Sequence, residues 1–162
     1  MGKEHIEDLL KFLEPFDKDI RELVLWLREF VWDLYPGTNE LIYDNYNALA
    51  FGWSHTEKLG QTFCSIAVGR TSKNVHFGFY RGNELSDPEK ILLGAGNQYR
   101  YILVKSKNTF PSTYMKKLVK EAYKKSLLKV KEQKEIAHGL TIVKSISEKK
   151  RKLKDRRKSN NE

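Results

Sequence analysis

The sequence predicts an α+β domain with two N-terminal helices, a mainly antiparallel sheet of about four or five strands and a long C-terminal helix. Three observations predict it. Apolar residues recur at helical spacing near the N-terminus, alternate with a period of two from Glu40 to about Gly82, and return to helical spacing after Pro111. The linkers between the first alternating segments are too short for the crossover that parallel strands need, so these strands are expected to form hairpins.

The two N-terminal helices follow from apolar spacing. Ile6, Leu9, Leu10 and Leu13 share one helical face, and Pro15 ends this first helix. Asp17 is expected to cap a second helix that ends before Pro36. Its apolar stripe comprises Ile20, Leu23, Val24, Leu27, Phe30, Val31 and Leu34. Further apolar residues outside that stripe predict burial on more than one side; they are Leu25, Trp26 and Trp32.

Three alternating segments, at residues 49–53, 64–68 and 75–79, predict strands. A fourth strand is expected from Tyr99 to about Lys105. The C-terminal helix opens at Pro111 and is expected to continue, with a thinning apolar face, towards Gly139.

Positive charge is concentrated in the C-terminal third. Residues 1–104 hold 11 Lys and Arg against 15 Asp and Glu, whereas residues 105–138 hold 10 against 3 and residues 139–162 hold 9 against 3. The sequence therefore divides into an α+β domain at 1–138 and a basic tail at 139–162. Because the end of this tail has little apolar surface, it is expected to be disordered or weakly helical.

Clustered cations attract polyanions, because they displace the counterions that condense on phosphates. An anionic ligand or nucleic acid is therefore the expected partner, although lysine-rich segments also serve as ordinary solubilising surface. The candidate polyanion-binding residues are Lys149, Lys150, Arg151, Lys152, Lys154, Arg156, Arg157 and Lys158.

Four residues near the last two predicted strands are candidates for an anion-binding pocket: His76, Tyr80, Arg81 and Arg100. Guanidinium groups, together with the backbone amides of residues 94–96, suit a carboxylate or a phosphate. The alternative is structural. A histidine in a half-buried strand usually satisfies a nearby backbone group, and an arginine beside glycines usually holds a loop in place.

Metal binding and catalysis have weaker support. Glu4, Glu7 and Asp8 offer oxygen ligands for iron, although acidic residues also favour helix N-termini and solvated surfaces. No cofactor is otherwise expected. Cys64 lies on the apolar side of its strand, where a thiol is ordinarily inert, so no catalytic residue is assigned and an enzyme is not expected.

The cysteine content and the N-terminus indicate a cytoplasmic protein. One cysteine excludes an internal disulfide framework, and the first thirty residues contain acids and no signal-peptide core. No stretch of eighteen apolar residues occurs, so no membrane association is expected.

Two segments resemble the YdhG-like family, a bacterial domain of unknown function. PGTNELIYDNYNAL, with Pro36, Glu40 and Tyr43, resembles a P-x-x-x-E-x-x-Y segment of that family. VHFGFYRGNELSDPEKILLGAGNQYRYILV is similar to its His-containing strand, R-G turn, D-P-x-x-L-L segment, G-x-G and terminal arginine strand. The resemblance spans roughly residues 5 to 130.

The resemblance implies two N-terminal helices, an antiparallel sheet and a C-terminal helix, and it supplies no catalytic residues. One branch of the family is frataxin-like, which implies an iron chaperone as the alternative function. The favoured hypothesis is a non-enzymatic binding or adaptor domain that holds an anionic partner through the polar pocket or the basic C-terminal face. A hydrolase or transferase that uses His76 and Arg100 is a third hypothesis.

Overall fold

A computed structural model describes residues 6–130 and 139–152 of the chain. These residues form three α-helices: α1 at Ile6–Leu13, α2 at Lys18–Leu34 and α3 at Ser112–Leu127. The two predicted N-terminal helices are confirmed. In α1, Leu9 and Leu13 are buried as expected, whereas Leu10 of the predicted apolar face is 50% exposed. Asp17 occupies the N-cap position of α2 but makes no side-chain capping bond; its carboxylate instead pairs with Lys73 at 3.4 Å.

Six strands form one sheet, which confirms the α+β class and adds strands to the expected four or five. The strands are β1 Asn39–Asp44, β2 Ala48–Ser54, β3 Thr62–Gly69, β4 Val75–Phe79, β5 Arg100–Val104 and β6 Thr141–Ile146. Their order is β5-β4-β3-β2-β1-β6. Neighbouring strands are antiparallel except β1 and β6, which run parallel, so the sheet is mixed.

One face of the sheet packs against the helices. A row of directly paired residues crosses five strands on this face and is almost completely buried: Ile42, Phe51, Ile66, Phe77 and Ile102. The same buried cluster contains apolar residues of all three helices. Each fully buried side chain of this size contributes about 1.5–3 kcal/mol relative to exposure, so this layer supplies much of the stability of the fold.

The other face of the sheet carries small and aromatic side chains. Ala50, Gly52, Ala67 and Gly78 lie in the central strands and alternate with the residues of the core. We call this surface the helix-free face, because the helical residues of the core cluster within residues 6–130 and 139–152 pack on the opposite side.

The expectation of a disordered or weakly helical tail from residue 139 is wrong for residues 141–146, which form β6. Three consecutive residues, Thr141, Ile142 and Val143, are β-branched and suit a strand. The backbone N–H of Leu140 donates to Oδ1 of Asn39 at 3.0 Å and joins the segment to β1. Residues 153–162 lie outside the described residues.

The helix expected from Pro111 towards Gly139 is confirmed only in its first part, because α3 ends at Leu127 and residues 131–138 lie outside the described residues. Gly139 has a φ of +71°, and its N–H donates to the Gly37 carbonyl at 3.0 Å. A Cβ at this position would lie 2.8 Å from the Pro36 carbonyl oxygen. Glycine is therefore required where the chain enters β6.

Candidate functional site

Two carboxylates of β1 are buried and paired with arginines. Glu40 is completely buried and accepts from Nε of Arg28 at 2.7 Å and from its Nη2 at 3.0 Å. Thr141 of β6 adds a hydroxyl donor at 2.9 Å. This bidentate arrangement leaves neither charge unpaired, so it joins α2, β1 and β6 and offers no group for a ligand.

Asp44 lies at the other end of β1. It accepts from Nη2 of Arg70 at 2.5 Å and pairs with Nζ of Lys150 at 3.0 Å. The guanidinium of Arg70 also lies over the ring of Phe16, with its carbon 5.5 Å from the ring centre. Lys150 was a candidate for polyanion binding, but here its charge stabilises a buried carboxylate.

Of the other candidate polyanion-binding residues in the tail, only some lie among the described residues. Lys149, Arg151 and Lys152 are exposed. The backbone N–H of Arg151 donates to the Tyr46 carbonyl at 2.9 Å, which holds this segment against the β1–β2 turn. Four further candidates lie outside the described residues: Lys154, Arg156, Arg157 and Lys158.

The four candidate pocket residues are not gathered into one pocket. Arg100 pairs with the core residue Phe79 across the sheet, and its Nη1 donates to the carbonyls of Gly96 at 2.6 Å and Tyr99 at 2.8 Å. It therefore holds the preceding loop in place, as the structural alternative expected. Arg81 lines a different region, at the end of α3.

His76 and Tyr80 lie with other aromatic side chains on the helix-free face. The His76 ring stacks on Tyr101 with 4.3 Å between ring centres, and Tyr101 stacks on Tyr99 at 5.6 Å. Tyr80 meets Tyr99 edge to face at 6.5 Å. Desolvation lowers the pKa of His76, so its imidazole is neutral at pH 7.

Tyr99 lies over Gly78, where an added Cβ would collide with the phenol ring. Burial raises the pKa of Tyr99 to about 12, although a hydrogen bond with Ser65 acts in the opposite direction. The sequence analysis did not identify this aromatic group as a unit. The available signal was the placement of Tyr99 and Tyr101 two residues apart, on one face of a hairpin-built sheet in which Tyr101 lies opposite Gly78.

The side chains considered for metal binding and for catalysis lie in separate parts of the structure. Within residues 6–130 and 139–152, no three His, Cys, Asp or Glu side chains are grouped closely enough to hold a metal ion. Glu7 is exposed and Asp8 half-buried on α1, whereas Glu4 lies outside the described residues. Cys64 is completely buried, and burial raises its thiol pKa well above the usual range, which favours the unreactive thiol.

The exposed side of α3 carries a group of lysines that we call the α3 lysine stripe: Lys116, Lys117, Lys120 and Lys124. None of the four forms an ion pair with a carboxylate in the described part of the chain. By contrast, Lys125 pairs with Glu121 at 3.2 Å, and Lys129, just beyond α3, pairs with Glu84 at 2.9 Å.

The packing of α3 fixes the direction of this stripe. Met115, Leu118, Val119 and Ala122 are buried in the core, so the lysines that alternate with them face outward. Glu121 is the one acid within α3, and it accepts hydrogen bonds from Ser86 as well as pairing with Lys125. Between Lys116 and Lys124, every exposed side chain of the helix is therefore a lysine.

Comparison with protein-family models, with curated proteins and with solved structures finds no match for this chain. The resemblance to the YdhG-like family stays a prediction. None of the described helices is both long and apolar enough to cross a membrane.

Proposed function

We propose that this protein is a non-enzymatic binding module that holds a phosphate-bearing polyanion, with nucleic acid as the favoured class, on the α3 lysine stripe. The observation that carries the proposal is the contrast along one helix. Four exposed lysines have no ion-pair partner among the described residues, whereas their neighbours Lys125 and Lys129 are paired.

The spacing of the stripe suits an extended anionic partner. Lys116, Lys120 and Lys124 follow one another at intervals of four residues, so they lie on one side of α3 and span roughly 12 Å along its axis. Like charges at this spacing destabilise a helix by about 0.2–0.5 kcal/mol per pair. A polyanion would relieve this repulsion and release its own condensed counterions.

A docked helix also reduces the entropic cost of binding. The buried side of α3 anchors it to the core, so the backbone that carries the lysines is already ordered before a partner arrives. Binding then restricts the lysine side chains and little else. The exposed cations Lys149, Arg151 and Lys152 offer a second positive segment beyond β6.

The groups that a catalytic hypothesis would use are engaged in other interactions. Cys64 is buried, His76 stacks on Tyr101, and Arg100 donates to two loop carbonyls. These contacts support a binding function over the hydrolase or transferase hypothesis.

The test is fluorescence anisotropy with labelled single-stranded and double-stranded oligonucleotides at several salt concentrations. The triple variant Lys116→Gln, Lys120→Gln, Lys124→Gln should bind roughly tenfold or more weakly at low salt, because three phosphate contacts are lost. A chain that ends at Lys152 should keep most of its affinity. Truncation before residue 139 is unsuitable, because it removes β6 and the donor that Thr141 supplies to Glu40.

The matched control removes the same number of positive charges elsewhere. Lys11, Lys18 and Lys90 are exposed and lie outside α3, so their triple substitution by glutamine should leave the affinity nearly unchanged. Equal loss of binding in the two triple variants would show that net charge alone drives association. Affinity unaffected by salt, or no binding at low salt, would also contradict the proposal.

A further inference from the structure

A cavity of about 360 Å³ opens between the end of α2 and the second half of α3. Leu34, Tyr35 and Pro36 line it where α2 ends and the chain turns towards β1, and Tyr123 and Leu127 line it from α3. Tyr35 and Tyr123 are half-buried, whereas Pro36 and Leu127 are exposed, so these walls are accessible to a ligand. The volume is within the range of ligand-binding pockets.

Two tyrosine rings form the flat part of this lining. The rings of Tyr35 and Tyr123 stack face to face, with 3.8 Å between their centres and 3° between their planes. Phe63 meets both rings edge to face, at 5.9 Å from Tyr35 and 5.4 Å from Tyr123. Nε2 of His55 donates to the Tyr123 carbonyl at 3.1 Å. These contacts hold the rings in place before a ligand arrives, which lowers the entropic cost of binding.

The cavity adjoins the α3 lysine stripe. Side chains three or four residues apart are neighbours on a helix surface, with about 5–6 Å between their Cβ atoms. Lys120 lies three residues before Tyr123, and Lys124 lies three residues before Leu127. Two cations that have no ion-pair partner among the described residues therefore border the wall that α3 supplies. The described lining of the cavity contains no acidic residue.

Flat aromatic rings beside free cations favour a single nucleic-acid strand over other anions. A nucleotide offers a planar base to the tyrosines and a negative phosphate to the lysines, and this combination is the usual basis of single-strand binding. The bases of a duplex are paired and stacked on one another, so they are not available to a cavity in the protein.

We infer that the cavity receives one unpaired base of a single nucleic-acid strand whose phosphates lie along the α3 lysine stripe. The base extends the stack of Tyr35 and Tyr123 and packs against Leu127. Lys120 and Lys124 bind the adjoining phosphates. This inference rests on the function proposed above and narrows it, because a duplex would occupy the stripe without using the cavity.

The test is fluorescence anisotropy at low salt with three labelled probes of equal length. They are a single strand of thymidylates, an abasic strand, which has the same phosphates but no bases, and a duplex. The thymidylate strand should bind roughly fivefold or more tightly than the abasic strand, because one base stacks on an aromatic side chain. The duplex should bind through the stripe and be insensitive to changes in the cavity.

Variants assign the base to the cavity. Tyr123→Leu keeps an apolar side chain but removes the ring, so it should weaken binding of the thymidylate strand roughly fivefold or more. Binding of the abasic strand and the duplex should not change. The matched control is Tyr101→Leu, because Tyr101 is also half-buried and stacked on another ring, that of His76, but lies on the helix-free face.

The control should leave all three affinities unchanged. Loss of thymidylate binding in Tyr101→Leu, with none in Tyr123→Leu, would place the base on the helix-free face and overturn the inference.

Photo-cross-linking locates the base without any variant, so the test does not depend on whether Tyr123→Leu folds. A thymidylate strand with one central 5-iodouracil should cross-link to Tyr35 or Tyr123 of the unmodified full chain, and peptide mass spectrometry identifies the residue. Cross-links confined to other residues would overturn the inference.

The outcomes separate this inference from the proposed function. Equal affinity for the thymidylate and abasic strands, with both weakened by the Lys116, Lys120, Lys124 triple substitution, would refute the base site and support the stripe. Thymidylate binding that depends on Tyr123 but is unaffected by the triple substitution would support the base site and contradict the stripe. No binding of any probe at low salt would refute both.

Discussion

Charged side chains in this protein occupy two contrasting regions, the strand β1 and the exposed side of α3. In β1, Glu40 and Asp44 are buried and held by arginines from α2 and from the end of β3. On α3, the lysine stripe is exposed and has no partner among the described residues. The comparison shows that the position of a charged residue does not by itself reveal its role. Charges that are paired within the protein stabilise the fold, whereas exposed charges without a partner are available to bind another molecule.

The physical basis of the difference is desolvation. Removing a charge from water costs several kcal/mol, so a buried ion is tolerated only with a well-placed counter-ion and hydrogen bonds. An exposed lysine keeps its water and contributes little to stability whether or not it is paired. Substitutions in β1 should therefore change folding, and substitutions on α3 should change binding.

The largest expected effect follows from breaking the buried pair between Arg28 and Glu40. Of the side-chain donors that the structure describes, Arg28→Met leaves the buried Glu40 carboxylate only the Thr141 hydroxyl, so the free energy of unfolding should fall by about 3–5 kcal/mol. Urea denaturation measures this change. The double variant Arg28→Met, Glu40→Leu should recover much of the loss, since no unpaired charge remains; losses that simply add would contradict the account.

A smaller effect is expected where the C-terminal segment contributes to the Asp44 site. Lys150 is partly exposed, and Asp44 keeps Arg70 when it is removed. Lys150→Gln should therefore lower the free energy of unfolding by about 1 kcal/mol. Its neighbour Lys149 is exposed, so Lys149→Gln should change stability by less than about 0.5 kcal/mol. Equal effects of the two substitutions would show that the pairing of the tail with Asp44 makes no specific contribution to stability.

A modest effect on pH dependence is expected from His55, which is buried in its neutral form. Its Nε2–H donates to the Tyr123 carbonyl at 3.1 Å, and desolvation lowers its pKa below the usual 6.5. The unfolded chain then binds a proton more readily, so His55 disfavours folding as pH falls below about 6.5. Stability measured between pH 8 and pH 5 should decline less in His55→Gln than in the unmodified chain. Parallel curves of stability against pH for the two proteins would contradict this prediction. His76 is present in both proteins, so its contribution does not affect the difference between the curves.

Much of the fold could be predicted from the sequence because apolar periodicity reports which face of an element is buried. Strands β2 to β5 and helices α1 and α2 carry that periodicity clearly. Strand β1 does not, because Glu40 and Asp44 occupy its core face and their arginine partners are 12 and 26 residues away in sequence. Strand β6 was missed because the surrounding basic residues dominate the composition of the tail.

The candidate sites were predictable only in outline. The excess of lysine in residues 105–138 was evident, but which lysines are unpaired depends on the positions of Glu84 and Glu121 beside α3. Arg81 and Arg100 looked equivalent in sequence. The structure separates them, because Arg100 pairs across the sheet with Phe79 and binds loop carbonyls, whereas Arg81 lies beside the end of α3.

The most direct test of the central claim is the slope of the logarithm of the association constant against the logarithm of salt concentration, measured with duplex DNA. Each phosphate contact contributes about 0.9 to this slope. The Lys116, Lys120, Lys124 triple variant should therefore show a slope shallower by about 2 to 3, with a free energy of unfolding within roughly 1 kcal/mol of the unmodified chain. An unchanged slope in a folded triple variant would contradict the assignment of the α3 lysine stripe as the binding surface.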